Sequence, residues 1–231
     1  MQVRAVSENA VLIEFGQQID EALIPVIAAA TNTLTEQLSS VLIDLIPSYT
    51  TLLCIYDYNQ VDSHWMIRTV QRLVDASVAS AVLAESGRLV EIPVWYDPSV
   101  GYDLEALADS KAMSVIDLIE LHTGRDYQVF AIGFNPGFAF LGRLDERIAT
   151  PRHESPRKSV ARGSVGIADA QTAVYPLPSP GGWNIVGRTP QPMFDASNRD
   201  GHASLLHVGD RVRFVPIDRS EFLTRGGRLD D

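Results

Sequence analysis

Apolar and polar residues change rhythm several times along this chain, and each rhythm predicts an element. Residues 10–16, AVLIEFG, read as a short strand closed by Gly16. From Ile19 to Leu38 apolar positions fall at helical spacing, and Pro25 sets the start near itself, because proline is tolerated in a first turn. VLIDLIPS and TTLLCIYD flank Pro47, Ser48 and Tyr49 and read as neighbouring strands joined by a turn. Asp62 or Ser63 caps a second helix running to Val82, with Trp65, Val70, Leu73 and Val74 on its apolar side. The order strand, helix, strand, strand, helix is one strand short of a split βαβ sandwich. RLVEIPVWYD, residues 88–97, is available as that strand or as the first strand of the next domain.

Around residue 86 the texture changes, and ESGR, Glu85 to Arg88, reads as a linker. The predicted domains are residues 1–86, a small α+β unit, and residues 87–231. DLEALADSKAMSVIDLIELHTG contains two short helices, the second capped by Ser114 and ended by Gly124. From Tyr127 onward, YQVFAIGF, GSVGIAD, AVYPL, WNIVGR, ASLLHVGD and RVRFVPI are separated by glycine and proline, spaced like the strands of a barrel or sandwich. The tail LTRGGRLDD has no periodicity and is expected to fray.

Composition narrows the partners. Across 231 residues, 29 acids against 19 bases give a net charge of −10, which repels phosphate backbones and argues against nucleic acid. Lys111 and Lys158 are the only lysines, and no G-x-x-x-x-G-K-[ST], G-x-G-x-x-G or G-x-S-x-G is present, so this chain alone is a poor ATPase candidate. The single cysteine, Cys54, sits in an apolar run and reads as a buried small hydrophobe, which suits a reducing cytoplasm. The N-terminus shows no signal-peptide pattern, and no stretch reaches the ~18 apolar residues of a membrane span. A soluble cytoplasmic protein without a membrane is expected.

Three segments and one histidine carry the candidate chemistry. FAIGFNPGFAFLG, residues 130–142, is too apolar for a solvent loop and too rich in glycine and proline for a helix. Asn135-Pro136-Gly137 turns after a strand, and the segment is either a buried barrel corner or the wall of a small-molecule pocket. TPRHESPRKSVARGSVGIADAQT gathers Arg152, His153, Arg157, Lys158 and Arg162 close after Arg147. It is either a bound-anion site or a solvated loop paired with Asp145, Glu146 and Glu154. YPLPSPGGWNIVGRTP places Trp183 after a Gly181-Gly182 turn, as a core residue or a stacking lip. His122 ends a helix, where the dipole favours its charged form; it is either a cap or an acid–base group. His64, His202 and His207 have no ligand spacing, so no metal is expected.

In order along the chain, GFNPGFAFLG, ATPRHESPR, GSVGIA, QT, YPLPSPGGWNIVGRTP and GDRVRFVPI resemble the family of the 5-oxoprolinase B subunit, also called the sporulation-kinase inhibitor family or allophanate hydrolase subunit 1. The same domain resembles part of the carboxyltransferase region, subdomains C and D, of urea carboxylase. The resemblance implies an α+β protein, a split-βαβ-like N-terminal domain followed by a cyclophilin-like β-barrel. It also implies a subunit that works with C-type carboxyltransferase-like and A-type partners to open 5-oxoproline, or a related amide or lactam, using ATP. ATP then belongs to the complex, with none bound by this chain alone. The alternative is a regulator that binds a histidine kinase through an exposed aromatic patch at Phe138 and Phe140. Where the family pattern has proline, tyrosine and glycine, this chain has Ala139, Phe140 and Arg143; Ala161, Arg162, Ala173 and Asp126 depart from it too. The expected catalytic residues are His122, Arg157 and Gln171. The expected substrate-binding residues are Phe134, Asn135, Pro136, Gly137, Phe138, Ser164, Tyr175 and Trp183.

Overall fold

A computed structural model describes residues 1–81, 87–198 and 203–229, and the chain divides into two compact units, Met1–Gly87 and Arg88–Asp231. The predicted helix end at Val82, the boundary at 86, Glu85 of the linker and His202 lie outside the described residues.

The first unit contains β1 (Gln2–Ser7), β2 (Ala10–Glu14), α1 (Leu23–Leu38), β3 (Leu42–Ser48), β4 (Thr51–Tyr56) and α2 (Ser63–Ala81). Its sheet runs β1-β2-β4-β3, with every neighbouring pair antiparallel. β4 lies between β2 and β3, which makes β2-α1-β3 a split βαβ unit. The remaining strand is β1, from the N-terminal side, and not RLVEIPV, which belongs to the second unit. Alternate residues of the central strands, Val11, Ile13, Leu52, Cys54 and Tyr56, pack in one core with Ala30 and Leu34 of α1 and Met66, Val70 and Val74 of α2. Met66 takes the core position expected for Trp65, which faces solvent. Asp62 is the α2 cap, its Oδ1 accepting the Trp65 N–H at 2.7 Å. Pro47 is tolerated because β3 is an edge strand. Burial pushes the Cys54 thiol up to about 12, which leaves it an unreactive packing residue.

The second unit contains β5 (Leu89–Val94), α3 (Leu104–Ser110), α4 (Val115–Thr123), β6 (Tyr127–Ile132), β7 (Ala139–Gly142), β8 (Arg157–Val160), β9 (Ser164–Ala168), β10 (Gln171–Val174), β11 (Ser179–Gly181), β12 (Asn184–Arg188), β13 (Arg211–Pro216) and α5 (Arg219–Thr224). Seven strands form one sheet in the order β12-β9-β10-β7-β6-β13-β5. Just past β5, Trp95 exchanges both backbone hydrogen bonds with Arg188 of β12 at 2.9 Å, which brings the two ends together into a nearly closed barrel. β8 and β11 form a separate two-stranded ribbon. Ser114 and Asp117 make a reciprocal capping box at the start of α4.

Because strand side chains alternate, the barrel strands bury two different faces. Val165, Ile167, Val174 and Val186 join Tyr127, Leu141 and Phe214 in the interior core. Their neighbours Ala168, Ala173 and Ile185 join Phe138, Val160, Tyr175 and Trp183 in a second cluster. Two expectations fail. ASLLHVGD makes only the isolated Phe194–Ser204 bridge, since Leu206 is drawn into the interior core and Gly209 turns at φ +94°. The tail does not fray through residue 229: α5 buries Phe222 against Trp95, ring centroids 5.4 Å apart, and Arg188 donates to the Arg228 carbonyl.

Candidate functional site

The site grows from the turn between β6 and β7. The Gly133 N–H donates to the Phe138 carbonyl at 3.0 Å and the Phe138 N–H to the Asn135 carbonyl at 2.9 Å, closing a compact loop. Gly137 sits at φ +80°, with its Cα against the Met193 carbonyl and Phe194, where a Cβ would overlap both. The loop holds Phe134 at φ +70°, 65% exposed, and returns Phe138 and Phe140 against Tyr175 and Trp183. Phe138 is the hub of this cluster: its ring centroid lies 5.4 Å from Phe134, 4.9 Å from Phe140, 5.3 Å from Tyr175 and 5.7 Å from Trp183.

These five rings line a hollow of about 360 Å³ with Pro156, Ala168, Pro180, Gly181 and Gly182, and its polar groups are Arg152, Asp169 and Gln171. Gln171 opens β10, opposite Ala168 and Gly142. Asp169 heads the two-residue connection between β9 and β10 at φ +52°, a left-handed position that aspartate tolerates in tight hairpins. Its backbone exchanges two hydrogen bonds with Thr150, at 2.7 and 3.2 Å, and so ties the hairpin to the segment carrying Arg152. That segment is pinned on both sides of the arginine. Asn184 Nδ2 donates to the Pro151 carbonyl at 3.0 Å, and the His153 N–H donates to the Gly182 carbonyl at 2.7 Å. Among the described residues no carboxylate lies within ion-pair distance of Arg152, and the Asp169 carboxylate makes no side-chain hydrogen bond. Burial raises the Tyr175 hydroxyl above its ordinary pKa, so it stays neutral; a hydrogen bond with the Trp183 backbone and the fields of Arg152 and Arg157 oppose that rise.

The structure therefore brings Phe134, Phe138, Gln171, Tyr175 and Trp183 to one hollow. Asn135, Pro136 and Gly137 shape its wall from within the turn and do not line it. Three expected residues are elsewhere. Arg157 turns to Asp103, donating to Oδ1 at 2.6 Å, and a second guanidinium nitrogen lies 3.4 Å from the Trp183 carbonyl. The same carboxylate accepts the Ile185 N–H at 2.6 Å and lies 3.2 Å from His153 Nε2, so Arg157 is part of a structural brace and Arg152 is the arginine that lines the hollow. Ser164 is buried in β9 away from the hollow.

His122 lies inside the barrel, fully buried and stacked on Phe214 with centroids 4.6 Å apart. Its Nε2 is 2.9 Å from Thr172 Oγ1 and its Nδ1 is 2.8 Å from the Tyr96 hydroxyl. Thr172 spends its proton on the Gly166 carbonyl at 3.1 Å, so Nε2 carries the imidazole hydrogen and Nδ1 accepts from Tyr96, whose hydroxyl burial keeps protonated. Desolvation lowers the His122 pKa to about 3, overriding the helix dipole that suggested a charged form. His122 is a neutral core residue, out of reach of the hollow as an acid or base. Elsewhere in the basic cluster, Arg147 is spent on Asp145, which it holds well below the usual carboxylate range.

Sequence reasoning missed Asp169, read only as a strand end in GSVGIAD. The signal was its place between two strand patterns separated by two residues. Among the described residues no cluster of three or more histidine, cysteine or acidic side chains could hold a metal ion, and no helix is long and apolar enough to cross a membrane.

A family model described as carboxyltransferase domain, subdomain C and D, matches residues 1–205. The chain is 38% identical over 231 residues to the B subunit of 5-oxoprolinase from Bacillus subtilis (strain 168), covering 96% of this chain and 95% of that one. Among solved structures, TTHA0988 superimposes with a TM-score of 0.79 at 33% identity over 94% of this chain, which spans only 40% of that longer protein. Kluyveromyces lactis urea carboxylase matches 96% of this chain with a TM-score of 0.69 at 17% identity, a likeness of fold that involves 22% of that protein.

Proposed function

On the premise that this chain belongs to the carboxyltransferase domain family, subdomains C and D, we propose that it is the B-type subunit of an ATP-dependent hydrolase that opens 5-oxoproline, or a closely related lactam, to the amino acid. The observation that carries this reading is the hollow itself: aromatic walls beside one unpaired arginine, one unpaired carboxylate and one carboxamide. A lactam acid presents matching chemistry, with a flat ring, a carboxylate, a C=O and an N–H. The rings flank the substrate; Arg152 takes the carboxylate, Gln171 donates to the amide oxygen, and Asp169 accepts the N–H.

The amide is resonance-stabilised, so water alone opens it slowly. ATP, bound elsewhere in the complex, would supply the activation; in the net ring opening the hydroxyl of water ends on the carbonyl carbon and a proton on the nitrogen as the C–N bond breaks. We assign ATP to the assembled complex with A-type and C-type subunits. The hollow offers one cation and carries a carboxylate of its own, a poor cradle for a triphosphate. The fully buried, single thiol suits a cytoplasmic setting for this work.

The kinase-inhibitor reading needed an exposed Phe138–Phe140 patch. Phe138 is buried and Phe140 packs against its cluster, leaving Phe134 as the exposed ring, so the hydrolase reading is preferred. The test is co-expression with A-type and C-type partners and an assay of ATP-dependent glutamate release from 5-oxoproline. Turnover should fall at least about tenfold in Gln171→Ala and in Arg152→Ala, consistent with lost transition-state contacts. Wild-type turnover in both variants would remove the hollow from the reaction.

A further inference from the structure

Helix α2 carries a face that the core of its unit does not use. Trp65 is 43% exposed, although large aromatic side chains are usually covered. Arg68 follows at the next turn and Arg72 at the one after, so the three side chains form a single stripe along the helix. Two shallow concavities run along it. The first is lined by Asp62, His64, Trp65, Arg68, Thr69 and Arg72, and the second shares Arg68 and Arg72 and continues to Gln71 and Asp75.

The charge on this stripe is unspent. Among the described residues neither Arg68 nor Arg72 has a carboxylate within ion-pair distance, in a chain with 29 acids against 19 bases. Four other surface arginines are matched, Arg4 with Glu14, Arg88 with Asp210, Arg213 with Asp126 and Arg225 with Glu221, whereas among the described residues Arg152, Arg162 and Arg219 share the unmatched state but are not beside an exposed tryptophan on the same helix face. The two acids that line the concavities keep their charge, but neither lies within ion-pair distance of Arg68 or Arg72, and each accepts from a neutral donor. Asp62 accepts the Trp65 N–H at 2.7 Å, and Asp75 accepts Gln71 Nε2 at 3.1 Å. An exposed indole beside two unmatched guanidinium groups is the residue set that dominates protein interfaces, and guanidinium groups bind carboxylates in bidentate fashion.

We propose that this stripe docks an acidic segment of another subunit of the hydrolase, an apolar side chain covering Trp65 while carboxylates engage Arg68 and Arg72. The inference rests on the reading of this chain as a B-type subunit, and charge complementarity selects the occupant. In a protein of net charge −10, two unmatched guanidinium groups side by side on one helix face attract an acidic partner locally.

The test uses the full chain with its A-type and C-type partners. Association is measured by titration and by light scattering for the wild type, the double charge reversal Arg68→Glu/Arg72→Glu, and Trp65→Ala. Circular dichroism checks that these exposed substitutions leave the helix folded. Association should weaken at least about tenfold in each variant, and wild-type association should weaken as salt is raised from about 0.05 to about 0.5 M. Gln171→Ala should assemble like the wild type. Variants that assemble like the wild type would overturn the docking site and leave the proposed function standing. A wild-type chain that joins neither partner would overturn both. An isolated chain that is a dimer, and becomes a monomer on charge reversal, would assign the stripe to a second copy and overturn the docking of another subunit.

Discussion

Gln171 and Thr172 are consecutive residues of β10, and they serve opposite faces. Gln171 lines the aromatic hollow, while Thr172 is fully buried and closes a directed line of hydrogen bonds from Tyr96 through His122 to the Gly166 carbonyl. Inside the barrel every proton on that line has a receiver, and the imidazole is kept neutral. On the other face Arg152 and Asp169 hold charges that nothing among the described residues neutralises. Residue type alone made His122 the better catalytic candidate. The contrast teaches that polar groups whose bonding is saturated by the fold serve stability, and that unsatisfied ones at a concave surface are available to a ligand.

Four outcomes would sharpen or break this contrast. Among substitutions at fixed pH the largest effect is expected from Asp103→Ala, which strips a partner from Arg157 and from the buried Ile185 N–H together. A loss of about 3 kcal/mol in urea unfolding is expected, and an unchanged midpoint would show that the brace is not structural. Next, Thr172→Val keeps the shape but orphans the His122 Nε2–H, for about 2 kcal/mol. Thr172→Ser should restore most of that loss; equal losses in the two variants would point to packing instead. Third, stability should fall on acidification. Above pH 6.5 His122 is neutral whether folded or unfolded. Below it the unfolded chain takes a proton that the folded chain refuses until pH about 3. The slope from this group is at most about 1.4 kcal/mol per pH unit, and it should vanish in a folded His122→Leu variant. A slope unchanged by that substitution would assign the effect to other groups. The smallest stability effects belong to Gln171→Ala and Arg152→Ala, within about 0.5 kcal/mol despite their effect on turnover. A large loss there would move them to the structural side of the contrast.

Much of this was legible because its causes are local. Ser114 marks the start of α4, the β3–β4 hairpin appears as two β-rich runs although Pro47 and Ser48 fall inside β3 and not in the turn, and the aromatic segment around Phe138 forms the hollow's wall. What was not legible depends on distant partners. Arg152 and Arg157 each follow a proline by one residue, and Asp103, 54 positions from Arg157, is what separates them. His122 was misread because Tyr96 and Thr172 lie 26 and 50 positions away, and because burial outweighs the dipole. β1 escaped notice for another reason. Only one of its six residues is even half-buried, so no period-2 signal exists in QVRAVS.

The rim strand β12 has its main-chain groups taken. Ile185 gives its N–H to the Asp103 carboxylate and receives the Asp103 N–H on its carbonyl, and Arg188 is matched in both directions with Trp95. A foreign chain cannot extend the sheet there by laying down another rung. Whatever this barrel recognises along that rim must be chosen by the chemistry of its side chains, which makes its specificity open to change by substitution without re-laying the backbone.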